Sequence, residues 1–157
     1  MKKRTVSVLA LALVLPLLLT ACGGKKKEAK EADLPALWTS MEESLELPAM
    51  MEVDDEALDF LYGIDAANLE SYVGRVPMMN VHATEFFLAK VKEGKMDDVK
   101  AGVEQRQADL ASQWAQYLPD QLELVKNYKL VTNGNYILFC ICEDTDTVVK
   151  LFNDATA

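Results

Sequence analysis

The stretch YKLVTNGNYILFCICE, residues 128–143, decides how this chain folds. Two runs rich in β-branched and aromatic residues flank Asn133-Gly134. That dipeptide suits a tight hairpin turn, which needs backbone at positive φ. Side chains alternate across a strand, so residues two apart share a face. Tyr128, Leu130, Ile137, Phe139 and Ile141 then fall on one face of the hairpin. Val131, Tyr136, Leu138, Cys140 and Cys142 fall on the other.

Upstream lies a second strand-like pair. SYVGRV (71–76) is built of strand formers, with Gly74 marking a bulge or a close approach. TEFFLAKVK (84–92) is apolar on both faces near Phe86 to Leu88. The connection between them, PMMNVHA (77–83), is unusually apolar for a loop. Between the two strand pairs, Val99, Val103, Leu110, Trp114 and Tyr117 recur at helical spacing, after Gly94 and an opening Asp97 or Asp98. Lys100, Glu104, Asp109, Gln113 and Gln116 fill the outer face of that helix. Arg106 and Gln107 interrupt the apolar stripe. Pro119 stands past the end of the helix, and 120–126 add another turn.

The flanks are helical as well. Asp33 is a cap signal with Pro35 in the first turn, and Leu34, Leu37, Trp38, Met41 and Leu45 form one stripe that Pro48 stops. Asp54 caps a short helix through Leu58, Leu61 and Tyr62, closed by Gly63, and Asp65 opens a turn. Asp144 or Asp146 caps a last helix through Val148, Val149 and Phe152. Two hairpins separated by a helix give an α+β domain. It is a mostly antiparallel sheet of about four strands packed with helices, spanning 33–157. Strand order is not readable.

The N-terminus speaks of location. Lys2, Lys3 and Arg4 precede an apolar run, Val8 to Leu19, that is too short to span a bilayer and contains Pro16. Basic, apolar, then small is the layout of a secretory signal peptide, here 1–21. Leu19-Thr20-Ala21-Cys22 resembles the bacterial lipobox. That resemblance implies cleavage before Cys22 and a diacylglyceryl group on its thiol, and two acyl chains suffice for stable anchoring. Residues 22–32 read as the lipidated cysteine and a flexible, Lys- and Glu-rich tether.

The whole chain has 157 residues and a formal charge of −9. Losing 1–21 removes only cations and makes it more acidic still. That argues against a nucleic-acid partner, which wants a basic face. The remaining length fits one domain with a real core and is short for a two-lobed solute receptor.

LYGID (61–65), PMMNVHATE (77–85) and NGNYILF (133–139), together with the lipobox, resemble a family of Gram-positive-type bacterial lipoproteins whose small domain has no assigned function. The resemblance implies a small α+β fold held at the extracytoplasmic face of the cell membrane. It carries over no active site.

Candidate chemistry is sparse. His82 is the one histidine, in the apolar connection with only Glu85 near it in sequence. A nucleophile pair or metal site would need closer partners. Cys140 and Cys142 share a strand face with Cα atoms about 6.6 Å apart, near the upper limit for a disulfide, so two packed, reduced thiols are expected. EDTDT (143–147) lacks the glycine and distal glutamate of a calcium loop and reads as a helix cap. No phosphate loop, nucleophile elbow or zinc-protease motif occurs.

The expectation is therefore a non-catalytic interaction domain with no metal and no cofactor. It would be tied to the membrane through Cys22 and bind an unknown protein or small-molecule partner. Met78, Met79 and His82 are the candidate contact residues, with at least one of the methionines exposed and Val81 buried. The rival class is a small redox or hydrolytic enzyme using Cys140 and Cys142 or His82.

Overall fold

Five helices and five strands make up residues 31–157, the part that the computed structural model describes. In chain order they are α1 (Leu34–Ser44), β1 (Met50–Glu52), α2 (Asp55–Tyr62), β2 (Leu69–Pro77), β3 (Glu85–Val91), α3 (Met96–Trp114), α4 (Pro119–Lys126), β4 (Lys129–Asn133), β5 (Tyr136–Ile141) and α5 (Thr145–Thr156). A short 3-10 turn, Ala66–Asn68, precedes β2. The expected signal peptide, the lipobox-like stretch and the expected tether up to residue 30 lie outside the described residues. No helix among the described residues is long and apolar enough to cross a membrane.

The strands form one antiparallel sheet in the order β1-β2-β3-β5-β4. The α+β expectation holds, with one strand more than the two hairpins supply. β1 is a three-residue edge strand paired with the end of β2. Helices cover both sheet faces. Leu34, Trp38 and Met41 of α1 and Val148 and Phe152 of α5 pack on Phe86, Leu88, Leu138 and Cys140. Leu58 of α2, Val99 and Val103 of α3 and Val125 of α4 pack on Phe87, Ala89, Ile137 and Phe139. The odd and even residues of β3 and β5 thus feed separate cores, which is why their sequences are apolar without a break.

The ends of the elements follow their capping chemistry. Asp33, Asp54 and Asp144 each accept a hydrogen bond from the backbone N–H three residues on, at 3.0, 2.9 and 3.0 Å. Gly63 closes α2 at φ 62°. Elsewhere the detail differs from the sequence expectation. Lys95 occupies the cap position of α3, and Asp97 and Asp98 sit in its first turn, where they favour the positive end of the helix dipole. Tyr117 lies beyond the end of α3, stacked on Trp114 at 5.8 Å. The turn after Pro119 is a full eight-residue helix, entered through Leu118 at φ 47°.

In the last hairpin, Asn133 pairs with Tyr136, so the two turn residues are Gly134 and Asn135. Only Gly134 is at positive φ, and Asn133 instead clamps α5, donating to Asn153 Oδ1 and Thr156 Oγ1. Gly74 marks close packing: a Cβ there would come within 2.6 Å of Val53 Cβ. Contacts with the sheet also reach residues before Asp33. Ala32 N–H donates to the Tyr136 hydroxyl and Glu31 pairs with Lys90, so the last two residues of the expected tether are tied to the sheet.

Candidate functional site

On α3, Val99, Val103, Leu110 and Trp114 face the sheet, and Arg106 completes their stripe at the helical interval. The break in the apolar pattern is therefore a guanidinium aimed at the core. It meets Glu85, the first residue of β3, whose side chain shares a sheet face with Phe87 and Ala89. Arg106 donates from Nε to Glu85 Oε1 at 2.9 Å and from Nη2 to Oε2 at 2.7 Å. The Tyr62 hydroxyl, at the end of α2, donates to Glu85 Oε1 at 2.6 Å. Glu85 is 1% exposed.

Removing one partner of such a pair costs about 3–5 kcal/mol, because the other is left buried and uncompensated. Burial first, then the Glu85 carboxylate, hold the Tyr62 hydroxyl well above its ordinary pKa. Burial opposes the charge on Arg106, but the hydrogen bonds and charge of Glu85 outweigh it and raise the guanidinium pKa further. Arg106 also lies 5.8 Å from the centre of the Tyr62 ring. Its Nη1 group has no partner among the described residues.

This cluster borders a cleft of about 280 Å³ between α3 and the β2–β3 connection. Met51, Leu61, Met78, His82 and Trp114 line it beside Glu85 and Arg106. Trp114 is 2% exposed, and its indole N–H is buried with no hydrogen-bond partner among the described residues. Such an orphan costs about 1–3 kcal/mol and calls for an explanation. A larger concavity of about 540 Å³, lined by Glu52, Asp54, Asp55, Glu56 and Tyr72, is shallow and walled by surface carboxylates. It offers no buried polar group to orient a ligand, so the smaller cleft is the better candidate.

Of the residues singled out in sequence, Met78 and His82 line this cleft, and Met79 stands next to Met78. Met78 and Met79 are each 61% exposed, and Met51 is 47% exposed. The connection is graded. Asn80 is exposed, His82 is half-buried, and Ala83 is buried with its N–H donating to Gln121 Oε1 of α4 at 2.8 Å. Val81, expected inside, is only half-buried.

Cys140 and Cys142 are free and buried on the opposite sheet face, among α1 and α5. Their mutual contact, reinforced by burial, pushes the Cys140 thiol up, and the same contact holds Cys142 below its usual value. His82 and Cys142 border a further cleft of about 220 Å³, but no hydrogen bond joins imidazole to thiol. Cys22 lies outside the described residues. Among the described residues, no group of three or more His, Cys, Asp or Glu side chains is placed to hold a metal ion.

Sequence reasoning passed over Tyr62, Glu85, Arg106 and Trp114 as a group. The signals were there for two of them: an arginine inside a helical stripe, and a glutamate opening an otherwise apolar strand. A family model described as a domain of unknown function, DUF4358, matches residues 43–142. That range holds the whole sheet, α2 to α4 and all four cluster and cleft residues, and leaves out α5 and most of α1. No curated protein and no solved structure matches.

Proposed function

The chain belongs to the DUF4358 family of domains of unknown function, and on that footing we propose that it is a membrane-anchored lipoprotein of the extracytoplasmic face whose domain binds a partner without catalysing a reaction. The anchor reading is supported by the sequence Leu19-Thr20-Ala21-Cys22 behind a basic, then apolar, leader. The binding reading is carried by one observation: exposed Met51 and Met78 border a cleft whose wall holds the buried Glu85–Arg106 pair and the unpartnered Trp114 indole. Methionines are adaptable contact residues. Glu85, with both oxygens engaged, is positioned as a structural acceptor rather than as a free acid or base. This reading assigns no metal, no cofactor and no nucleic-acid partner.

The test has two arms. Radiolabelled palmitate should enter the full chain and not Cys22→Ala; equal labelling of both sinks the anchor. A photocrosslinker at position 78 should give a defined adduct in native membranes, while one at Lys150, exposed on α5, should not. Adducts of equal yield from both positions would show that the cleft is not the contact surface.

The rival is a thiol enzyme, favoured by the cleft that His82 and Cys142 share. A nucleophile and its base belong within hydrogen-bond reach. That contact is missing here, and Cys142 is 4% exposed. Rapid alkylation of Cys142 in the native protein would promote this rival.

A further inference from the structure

We infer that the cleft takes a neutral, amide-bearing apolar group: a backbone carbonyl of an extended peptide segment from a protein partner, with an apolar side chain between Met51 and Met78. The inference rests on the binding reading above and adds the chemistry of the occupant.

Trp114 and Arg106 both line the cleft, and the Trp114 indole N–H is buried with no partner among the described residues, while Arg106 Nη1, which is not among the buried unpaired groups, remains open to solvent. A buried unmet donor calls for an acceptor. The four other concavities described carry carboxylates and no lysine or arginine, so this is where an acceptor is received in an acidic domain. The acceptor is neutral because the Glu85 carboxylate already balances Arg106. A ligand carboxylate would face Glu85 with no second fixed cation to offset it. The methionine side chains are the parts of the wall that can give way as the carbonyl approaches the indole.

A peptide fits better than a drug-sized metabolite. The volume, about 280 Å³, lies just under the ~300–1,000 Å³ of small-molecule sites. The cleft also opens beside β1, an edge strand with one partner strand among the described residues. Ala49 and Val53, on either side of β1, form backbone hydrogen bonds with Met78 and Gly74, so Met50 and Glu52 turn their backbone groups outward at the sheet's edge. An added strand there would gain main-chain hydrogen bonds and present alternate side chains on the Met51 face.

The experiment follows the two indole N–H resonances of the full-length chain. Trp38, on the opposite sheet face, is the internal control. N-acetyl-leucinamide should shift Trp114 and leave Trp38 in place. N-acetyl-leucine and hexanoate, both carboxylates, should bind at least about tenfold more weakly. The capped tripeptide threonine-leucine-threonine should bind at least about threefold more tightly than the single capped leucine. Trp114→Phe should weaken leucinamide about threefold to tenfold, the worth of one hydrogen bond.

An unmoved Trp114 resonance at saturating leucinamide overturns the inference. So does hexanoate binding as tightly as the neutral amide. Equal affinity of tripeptide and single residue overturns the peptide assignment. A crosslink from position 78 without a Trp114 response removes this chemistry and leaves partner binding standing; a Trp114 response without a crosslink does the reverse.

Discussion

The two faces of the sheet are built on different principles. The face under α1 and α5 is closed with apolar groups: Trp38 meets Phe86 edge-on at 5.2 Å, and Met41, Leu138, Cys140 and Phe152 are fully buried. The face under α2, α3 and α4 has a core of similar quality, but it also holds a buried carboxylate, a guanidinium and an orphaned indole N–H beside a cleft. Buried ion pairs are weak evidence of stability, since apolar replacements of the same shape are often as good or better. On the proposed reading, this face keeps such groups for the partner rather than for stability. Both faces hold the fold by apolar packing, and the polar cluster is what sets the second face apart.

The largest effects should fall on the pair itself. Arg106→Ala leaves Glu85 buried without its cation and should cost about 3–5 kcal/mol in denaturant unfolding. Phe152→Ala, a cavity on the other face, should cost a comparable ~3–5 kcal/mol. The two are told apart by rescue. Adding Glu85→Leu and Tyr62→Phe to Arg106→Met should recover most of the loss, whereas no polar change rescues Phe152→Ala. Failure of that rescue would mean that the cluster is needed for packing.

A smaller effect belongs to Tyr62 alone. Tyr62→Phe removes one hydrogen bond to a charged acceptor, worth about 1.5–3 kcal/mol. It should also change the alkaline limb. Unfolded chain releases the phenolic proton near pH 10, while folded Tyr62 keeps it because its pKa is raised. Above about pH 10 the folded state thus binds more protons than the unfolded one, and stability falls by up to ~1.4 kcal/mol per pH unit. Tyr62→Phe should lose that one-proton slope, and no change in slope would contradict the buried hydroxyl. Tyr72, raised by burial and by its bond to Asp55, adds a second slope that the variant keeps.

How far the sequence carried the reading divides between local pattern and long-range contact. The apolar face was legible: period-two alternation placed Val131, Tyr136, Leu138, Cys140 and Cys142 together, and they are together. The other hairpin face was read equally well, through Tyr128, Leu130, Ile137, Phe139 and Ile141. β1 was not legible, because Met50 to Glu52 is too short to show alternation and pairs with a strand more than twenty residues away. α4 was underestimated because Leu118 is not a capping residue, although Pro119 in its first turn is a start signal. The Glu85–Arg106–Tyr62 cluster was illegible as a unit, since its members are 21 and 23 residues from Glu85 and meet only through the fold. The orphaned Trp114 N–H is a property of packing alone.

The smallest effects should come from the cleft rim and the thiols. Met78→Ala and Met79→Ala should each change stability by no more than about 0.5 kcal/mol, as exposed positions do, while Met78→Ala lowers crosslinking from position 79. Strong destabilisation by both would make the connection core. Mass spectrometry after denaturing, non-reducing alkylation should find Cys140 and Cys142 as two free thiols; a bridge between them would move the functional search to the apolar face.

The most direct test joins stability and binding in one variant. Tyr62→Phe, Glu85→Leu and Arg106→Met together replace the cluster with apolar groups of similar size. Unfolding of this triple variant should match the wild type within about 1–2 kcal/mol or exceed it, while the membrane crosslink from position 78 disappears. A triple variant that is stable and still crosslinks would contradict the account, because the polar cluster would then serve neither the partner nor the fold.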